Sequence, residues 1–178
     1  MTMKSLKKHF FAFALAALFF GATTVAHAQK ISRKEKKAEI AAIVKGLVSS
    51  GNYIFQASYA NSTGGSFPVY STYNLKVVKD TVAAYLPYFG TSHISPNDPG
   101  ALEVKFTWTK FNYNIKPRKK GNWEVKIDPQ VSNIGANSDV RSLTLNISAD
   151  GSASLQVINS NRDPISYDGF IVDRSQVN

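Results

Sequence analysis

Hydrophobic and polar positions follow a helical period in one segment near the start of the chain. Ser32 and Glu35 precede it with the spacing of a capping box, in which each side chain accepts an otherwise unpaired backbone N–H. Gly51 stands where a left-handed helix C-cap is expected. Between these signals one apolar stripe has helical spacing: Ile40, Ile43, Val44, Leu47 and Val48. The pattern predicts a helix over residues 33–49 that buries one face.

From residue 52 onward the period changes to two, which is typical of strands with one buried face. The first strand places four residues on one face: Tyr53, Phe55, Ala57 and Tyr59. Residues 61–68 form a turn-rich loop in this interpretation, and residues 69–78 form a long strand. Residues 79–80 then make a tight reversal into a strand over residues 81–86. The Asp150-Gly151 pair predicts a two-residue hairpin near the end of the chain.

The alternation changes phase inside one strand-like segment, residues 101–116. Four apolar residues occupy one parity, and three later ones occupy the other: first Leu102, Val104, Phe106 and Trp108, then Phe111, Tyr113 and Ile115. A slip of one residue is what a β-bulge or a sharp bend produces, because the extra residue re-aims every side chain after it. We therefore predict a bulge or bend near residues 109–110 that curves the sheet. The alternative is a strand that turns its side chains from one face towards a ligand or a covering helix.

The whole pattern predicts an all-β fold of about eight or nine short antiparallel strands with one N-terminal amphipathic helix packed on them. Hairpin-length connections argue against a parallel sheet. Alternation does not reveal which distant strands pair, so an antiparallel β-barrel and a β-sandwich are both compatible with it. We expect a basic amphipathic helix over residues 29–51 and a β domain over residues 52–178.

The first 28 residues have the features of a signal peptide. Three lysines precede an apolar run over residues 10–20, which is too short for a spanning helix. Ala26-His27-Ala28 then predicts cleavage between Ala28 and Gln29. The alternative is an N-terminal anchor that stays in the membrane. We expect a periplasmic or secreted product.

The predicted mature chain is basic and lacks cysteine. It carries 18 basic and 12 acidic residues from residue 29 onward, and much of the charge lies in residues 30–37 and in one later turn. That turn contributes Lys116, Arg118, Lys119 and Lys120. A basic surface can meet anionic headgroups, so a structural role on an anionic membrane surface is one hypothesis. Two solvated segments are the alternative; at most peripheral membrane contact and no nucleic-acid partner are expected.

Signals for catalysis are sparse. His93 is the single histidine after residue 28, and no Gly-x-Ser-x-Gly elbow presents a nucleophile. An envelope hydrolase that uses His93 with a nearby acid is therefore a second hypothesis. Zinc needs three or four ligands, and only Asp98 lies near His93 at usable spacing. We expect no metal, no cofactor and no catalytic constellation.

Aromatic residues give the best candidate site. Tyr85, Tyr88 and Phe89 cluster where a strand opens into a long loop that also contains His93. Three further aromatic residues lie on nearby strands: Trp108, Tyr113 and Trp123. Such side chains can stack on a sugar or an apolar ligand. They are also favoured in strands and in β cores, so core packing is the alternative.

Several segments resemble the DUF4251 domain family, whose members are secreted proteins found mainly in Bacteroidota. The resemblance spans roughly residues 46–172. It is carried by these pieces: Tyr73-x-Leu75-x-Val77, Leu86-Pro87-Tyr88-Phe89-Gly90, the lysine-rich turn before Trp123, Asp150-Gly151 and Ile165-Ser166-Tyr167-Asp168-Gly169. It implies an all-β domain in the bacterial envelope, and it brings no assigned activity or catalytic residues.

The leading hypothesis is a non-catalytic protein of the bacterial cell envelope that binds a ligand or a partner through the region from Tyr85 to Gly90 and the adjoining loop. The partner would be a small apolar or carbohydrate ligand, or an envelope protein. Ligand identity, oligomeric state and physiological role stay open at this point.

Overall fold

Alternating buried and exposed side chains build most of the chain into antiparallel strands. The computed structural model describes residues 32–70, 72–91, 102–130 and 139–176. One helix, α1 (Arg33–Ser50), precedes ten strands in this part of the chain. The strands are β1 (Tyr53–Ser62), β2 (Gly65–Pro68), β3 (Asn74–Val78), β4 (Thr81–Pro87), β5 (Glu103–Trp108), β6 (Phe111–Pro117), β7 (Trp123–Pro129), β8 (Val140–Ile147), β9 (Ser152–Asn159) and β10 (Ile165–Val172).

The strands form one nearly closed, barrel-like sheet, which resolves the choice between barrel and sandwich. Its order is β5-β4-β3-β1-β10-β9-β8-β7-β6, and β2 pairs with β1 outside this path. Apart from the β1–β10 pair, strands that are neighbours on this path also follow one another along the chain, with β2 left aside. The fold is therefore an up-and-down meander. The predicted all-β class with one packed helix is confirmed, with ten strands instead of eight or nine.

A bent strand joins the two ends of the path. All pairs on the path are antiparallel, so the end strands β5 and β6 run in the same direction. Only residues 109–110 separate them, and the chain therefore passes from one to the other as one bent strand. β5 pairs with β4, whereas β6 pairs with β7 on the other side of the opening. The predicted phase change marks this bend, where the strand changes its hydrogen-bonding partner.

The first and last strands close the meander. β1 pairs with β10, and a register shift between Ala57 and Tyr59 adds a bulge to β1. The expectation that Tyr59 shares a face with Ala57 is therefore wrong: Tyr59 is 51% exposed, and Ala60 is buried in its place. Gly169 lies against this bulge, where an added Cβ would stand 2.0 Å from the Gln56 carbonyl oxygen. Only glycine permits this approach of the two backbones.

The connection from β1 to β3 differs from the prediction. β1 continues to Ser62 and forms a hairpin with β2, where a turn-rich loop was expected. The long strand over residues 69–78 is reduced to β3, because Val69 and Tyr70 lie outside any strand. Thr63 and Gly64 form the tight turn of this extra hairpin, and Gly65, with a φ of 130° that favours glycine, begins β2 opposite Ser62.

Helix α1 packs against the sheet by a narrower stripe than predicted. Val44, Leu47 and Val48 are buried, whereas Ile43 is 55% exposed, so the expectation for Ile43 is wrong. Gly51 has a φ of 61°, and its N–H donates to the Val48 carbonyl, which confirms the predicted C-cap. The Asn52 N–H bonds to the Leu47 carbonyl, and together these bonds form a Schellman motif.

The connections fall into two groups at opposite ends of the strands. We call the first group the helix end: α1, residues 79–80, 116–124, 148–151 and 173–176. We call the second group the latch end: residues 86–91, the start of β5, Asp139 and residues 159–164. A Cβ added at Gly151 would lie 3.6 Å from Val44, and one added at Gly121 would lie 3.4 Å from Ala149, so α1 and the turns of the helix end lie close together. The Asp150-Gly151 hairpin has a four-residue turn, in which the Gly151 N–H bonds to the Ser148 carbonyl.

Residues Arg33–Asn178 make up one compact unit. The predicted signal peptide and its cleavage site lie outside the described residues, so both stay predictions. No helix in the described part of the chain is long and apolar enough to span a membrane.

Candidate functional site

The latch end is organised around a buried arginine. Arg162 is only 6% exposed, and its guanidinium forms a bidentate ion pair with Asp139. Nε lies 2.9 Å from one carboxylate oxygen, and Nη2 donates to the other. It also donates from Nη1 to the Glu103 carbonyl at 2.6 Å. The fork of Arg matches a carboxylate well, and burial strengthens the pairing. One side chain thus ties together the β9–β10 turn, the start of β8 and the start of β5.

Tyr88 lies under this guanidinium. The Arg162 carbon Cζ is 4.7 Å from the centre of the Tyr88 ring, a cation–π contact, and Tyr88 is only 3% exposed. Its hydroxyl lies 2.8 Å from the Thr91 carbonyl and 3.0 Å from the Asp163 carbonyl, to which it can donate. Burial raises the pKa of Tyr88, so the hydroxyl stays a donor to a higher pH than an exposed tyrosine does.

Most of the motif from Leu86 to Gly90 is therefore buried and has a structural role. Leu86, Pro87 and Tyr88 are buried, and the Tyr167 hydroxyl donates to the Pro87 carbonyl at 2.8 Å. At Gly90, an added Cβ would lie 2.5 Å from the Tyr88 hydroxyl, which explains the glycine. The expectation that Tyr88 is available to a ligand does not fit its burial.

Phe89 is the member of the motif that reaches solvent. Its side chain is 41% exposed and stacks on Phe67 of β2, with ring centres 4.8 Å apart. The Ser62 hydroxyl donates to the Phe89 carbonyl at 3.1 Å, which fixes the backbone from the other side. We call Phe67 and Phe89 the phenylalanine pair. It combines a partly open aromatic surface with a rigid support.

Tyr85 faces outward from β4 and is 37% exposed. Its hydroxyl donates to Glu103 at 3.1 Å, Tyr73 packs beside it at 5.0 Å between ring centres, and Lys105 lies 5.5 Å from its ring centre. The hydrogen bond to Glu103 raises the pKa of Tyr85. Because its neighbours occupy this ring, Tyr85 offers less open surface than the phenylalanine pair.

The other aromatic candidates have separate surroundings. Trp108 is 1% exposed and stacks on Phe106 at 4.1 Å, and its indole Nε1 has no hydrogen-bond partner among the described residues. Tyr113 donates to the Val48 carbonyl of α1 at 3.0 Å and contacts the Tyr53 hydroxyl. Both belong to the core and its helix contact, so they do not join the latch end in one site.

Trp123 begins β7 at the helix end, where it pairs with Pro117 and Ile147. It is half-buried and packs against the core. Its position beside the basic turn makes it a structural neighbour of that turn. The predicted aromatic set is thus divided among the two ends and the core.

His93 lies outside the described residues, so the hydrolase hypothesis stays a prediction. In the part of the chain that is described, no three His, Cys, Asp or Glu side chains come together in a metal-binding arrangement.

The basic turn is exposed throughout. Lys116, Arg118, Lys119 and Lys120 all reach solvent, and Arg118 forms an ion pair with Glu124. Lys120 has a φ of 61°, an uncommon left-handed conformation for a residue with a side chain. The Arg118 N–H bonds to the Asn122 carbonyl, and Asn122 accepts the Ala149 N–H. The turn is therefore held by its backbone, and its charges stay in water.

Sequence reasoning missed the Arg162–Asp139 pair. Arg162 lies in a turn of polar residues, a context in which arginine is usually exposed. Asp139 is 23 residues away on another connection, so no local spacing links the two. Only the sheet topology brings these connections to one end.

A family model described as "Domain of unknown function (DUF4251)" matches residues 35–171. Among solved structures, the chain is similar to the crystal structure of a DUF4251 family protein from Bacteroides eggerthii DSM 20697, with 16% identity and a TM-score of 0.61. The alignment covers 79% of this chain and 92% of that chain. At this identity the likeness shows the fold alone. No curated protein matches the chain. The family match spans most of the chain and confirms the resemblance: the chain belongs to the DUF4251 family.

Proposed function

We propose that this protein is an exported, non-catalytic binding protein of the bacterial cell envelope. Its ligand would present a flat apolar face, such as one face of a sugar ring or an aromatic group, to the phenylalanine pair. The observation that carries the proposal is the 41% exposed Phe89, stacked on Phe67 and held by the buried residues of the latch end.

Rigid support is what makes an exposed aromatic side chain useful for binding. A ring held in one position pays little further conformational entropy when a ligand covers it. Here Tyr88, the residue before Phe89, is fixed by Arg162 and by two carbonyl oxygens. The backbone of Phe89 itself accepts a hydrogen bond from Ser62. The surface is therefore preorganised, as binding sites on stable scaffolds commonly are.

The chemistry of the pair selects the class of ligand. Two phenyl rings offer apolar area and π faces but no hydrogen-bonding atoms, so they favour stacking. A polar group beside the pair is the Ser62 hydroxyl, which donates to the Phe89 carbonyl. A ligand with one apolar face and one polar edge fits this arrangement.

The test is an NMR titration of the exported chain with two sets of probes. One set contains soluble oligosaccharides, namely cello-, malto- and chito-oligomers and peptidoglycan fragments, and the other contains anilinonaphthalene sulfonate as an aromatic probe. We expect at least one probe to bind saturably and to shift the resonances of Phe67 and Phe89. Phe89→Ala should weaken that binding by about tenfold or more, as for a central aromatic contact.

Tyr70→Ala is the matched control, because Tyr70 is an aromatic side chain that is 81% exposed at a different position. It should leave binding unchanged. Phe89→Ala should also lower the unfolding free energy by less than the roughly 3–5 kcal/mol typical of a buried phenylalanine. If no probe shifts these two residues, or if Phe89→Ala costs as much stability as a core truncation, the pair is core packing and the proposal fails.

A further inference from the structure

The charges of this protein are distributed unevenly between its two ends. The helix end carries eleven basic and six acidic residues, whereas the remaining described residues carry six basic and five acidic ones. The eleven basic residues of the helix end are Arg33, Lys34, Lys36, Lys37, Lys45, Lys79, Lys116, Arg118, Lys119, Lys120 and Arg174. The six acidic ones are Glu35, Glu39, Asp80, Glu124, Asp150 and Asp173. Nearly all of the net positive charge of the described residues is therefore at one end.

This charge lies on the surface. All eleven basic side chains of the helix end are exposed. At least three of the six acidic residues there have local partners: Glu124 pairs with Arg118, Asp150 accepts the Ser152 N–H, and Asp173 accepts the N–H and hydroxyl of Ser175. Hydrogen bonds from Ser175 lower the pKa of Asp173, and the bond from Arg118 lowers the pKa of Glu124. The surplus at this end is thus positive and faces outward.

Helix α1 of the helix end also carries an exposed apolar residue. Residues 33–39 are exposed on every side of the helix, and burial begins only at Ile40, so the first two turns extend past the packed face. Ile43 then lies on α1 with 55% of its surface exposed. Helices that lie in the headgroup region of a membrane combine basic side chains with apolar ones that enter the interface. Because Val44, Leu47 and Val48 are buried against the sheet, Ile43 is the apolar side chain that this segment of α1 offers.

We propose that the helix end docks on the surface of an anionic phospholipid membrane. The lysines of the basic turn and of the first turns of α1 would approach the headgroups, and Ile43 would enter the interface. Coulomb attraction to a charged surface grows with the number of basic residues near it and falls within a Debye length. The proposal concerns the end of the sheet opposite the phenylalanine pair, so it stands or falls independently of the proposed ligand site.

The experiment is vesicle co-sedimentation with the chain as exported and processed by a bacterial host. Vesicles of phosphatidylcholine that contain phosphatidylglycerol are compared with vesicles of phosphatidylcholine alone. We expect binding only to the anionic vesicles, weakening steadily as sodium chloride is added. The triple variant Lys116→Gln, Lys119→Gln, Lys120→Gln should bind them at least about tenfold more weakly, given the usual contribution per basic residue.

A matched triple variant removes the same charge from the walls of the sheet: Lys76→Gln, Lys126→Gln, Arg141→Gln. These three side chains are exposed on β3, β7 and β8. This variant should bind anionic vesicles within about twofold of the unmodified chain, because its lost charges do not lie at the docking end. Equal losses in the two triple variants would overturn the proposal, since net charge alone would then explain the binding.

Ile43→Ser separates a membrane from a soluble polyanion. The residue is exposed, so the variant should fold, which its thermal unfolding midpoint checks. We expect weaker binding to anionic vesicles and unchanged binding to dextran sulfate, because only the membrane offers an apolar interior. If the chain binds dextran sulfate through the basic turn but does not bind anionic vesicles, the membrane proposal is wrong. Equal binding to neutral and anionic vesicles would also contradict it.

Discussion

The two ends of this sheet handle their polar groups in opposite ways. At the latch end, Arg162 and Asp139 are buried together, and the hydroxyls of Tyr88 and Tyr167 donate to carbonyls of neighbouring connections. At the helix end, α1 covers the core with aliphatic side chains such as Val44, and the charges remain in water. The first end is held by directional polar contacts, and the second is held mainly by apolar burial.

This difference predicts where substitutions are costly. A buried ion pair is weak evidence for added stability, but removing one partner leaves an uncompensated charge in a dry place. Replacing an exposed charged residue changes the stability of the fold little, because water already screens its charge. The latch end should therefore tolerate few polar changes, whereas the helix end can vary its charges. An end whose charges are free to vary is also the end that can be adapted to a partner.

The largest expected effect is at the latch end. Arg162→Met should lower the unfolding free energy by about 3–5 kcal/mol, because Asp139 would remain buried without its partner. The Glu103 carbonyl would also lose the bond that it accepts from the guanidinium. Equilibrium unfolding in urea measures this change.

A double variant tests the reason for that loss. Arg162→Met together with Asp139→Leu removes both charges and should recover much of the stability, since an apolar pair of similar volume can replace an ion pair. If Arg162→Met alone costs less than about 1 kcal/mol, Asp139 has access to water and the contrast between the two ends is wrong.

A smaller effect is expected in alkaline solution, where it tests how far each end excludes water. Burial raises the pKa of Tyr167 at the latch end and the pKa of Tyr53, which contacts Tyr113 near the helix. Both tyrosines are protonated in the folded chain at pH values where the unfolded chain has begun to lose those protons, near pH 10. Their contribution is therefore complete below pH 10 and is lost as the pH rises. We expect a loss of about 1.4 kcal/mol per pH unit for each such group above pH 10.

Urea unfolding at pH 9, 10 and 11 measures this slope. Tyr167→Phe and Tyr53→Phe should each reduce this loss of unfolding free energy by about 1.4 kcal/mol per pH unit, the contribution of one tyrosine. Each variant should also lose a constant amount of stability through its missing hydrogen bond. Equal reductions mean that both ends exclude water to the same degree. A slope that neither variant changes would contradict the burial of both hydroxyls.

Much of the fold is readable from local patterns, for physical reasons that particular elements show. The helix boundaries follow from Gly51 and from the apolar stripe, because capping and amphipathicity act over a few residues. The phase change at residues 109–110 is visible because a bend re-aims every later side chain. The β1 bulge at Tyr59 was not predicted, since it depends on the close approach of Gly169 from β10, 110 positions further along the chain.

The candidate site was harder to predict than the fold. The segment from Leu86 to Gly90 is conspicuous in the sequence because of its aromatic residues, but its pattern does not tell which rings are buried. Tyr88 is enclosed because Arg162 and Asp163 come from a distant turn. Phe89 stays partly open because β2, which was expected to be a loop, brings Phe67 beside it. The burial of Tyr88 and the exposure of Phe89 both depend on tertiary contacts, and the alternation of polar and apolar residues predicts neither.

The smallest predicted effects concern two glycines of the helix end, which should respond with opposite signs. Gly51 has a φ of 61°, a conformation that costs an L-residue about 1 kcal/mol, so Gly51→Ala should lower the unfolding free energy by about that amount. Its neighbour Tyr113 is 3.7 Å from the added Cβ, an ordinary contact, so the backbone alone causes the loss.

Gly46 lies inside α1 with nothing within 4 Å of an added Cβ, and Gly46→Ala should raise the unfolding free energy by about 0.5–1 kcal/mol. Both variants are compared by urea unfolding. Because the two substitutions add the same methyl group, one inside α1 and one directly after it, a change of the same sign in both would show that the C-cap does not determine the stability of this end. A loss at Gly51 well above the predicted value would instead mean that the cap also positions Tyr113, and the helix end would then depend on directional contacts as the latch end does.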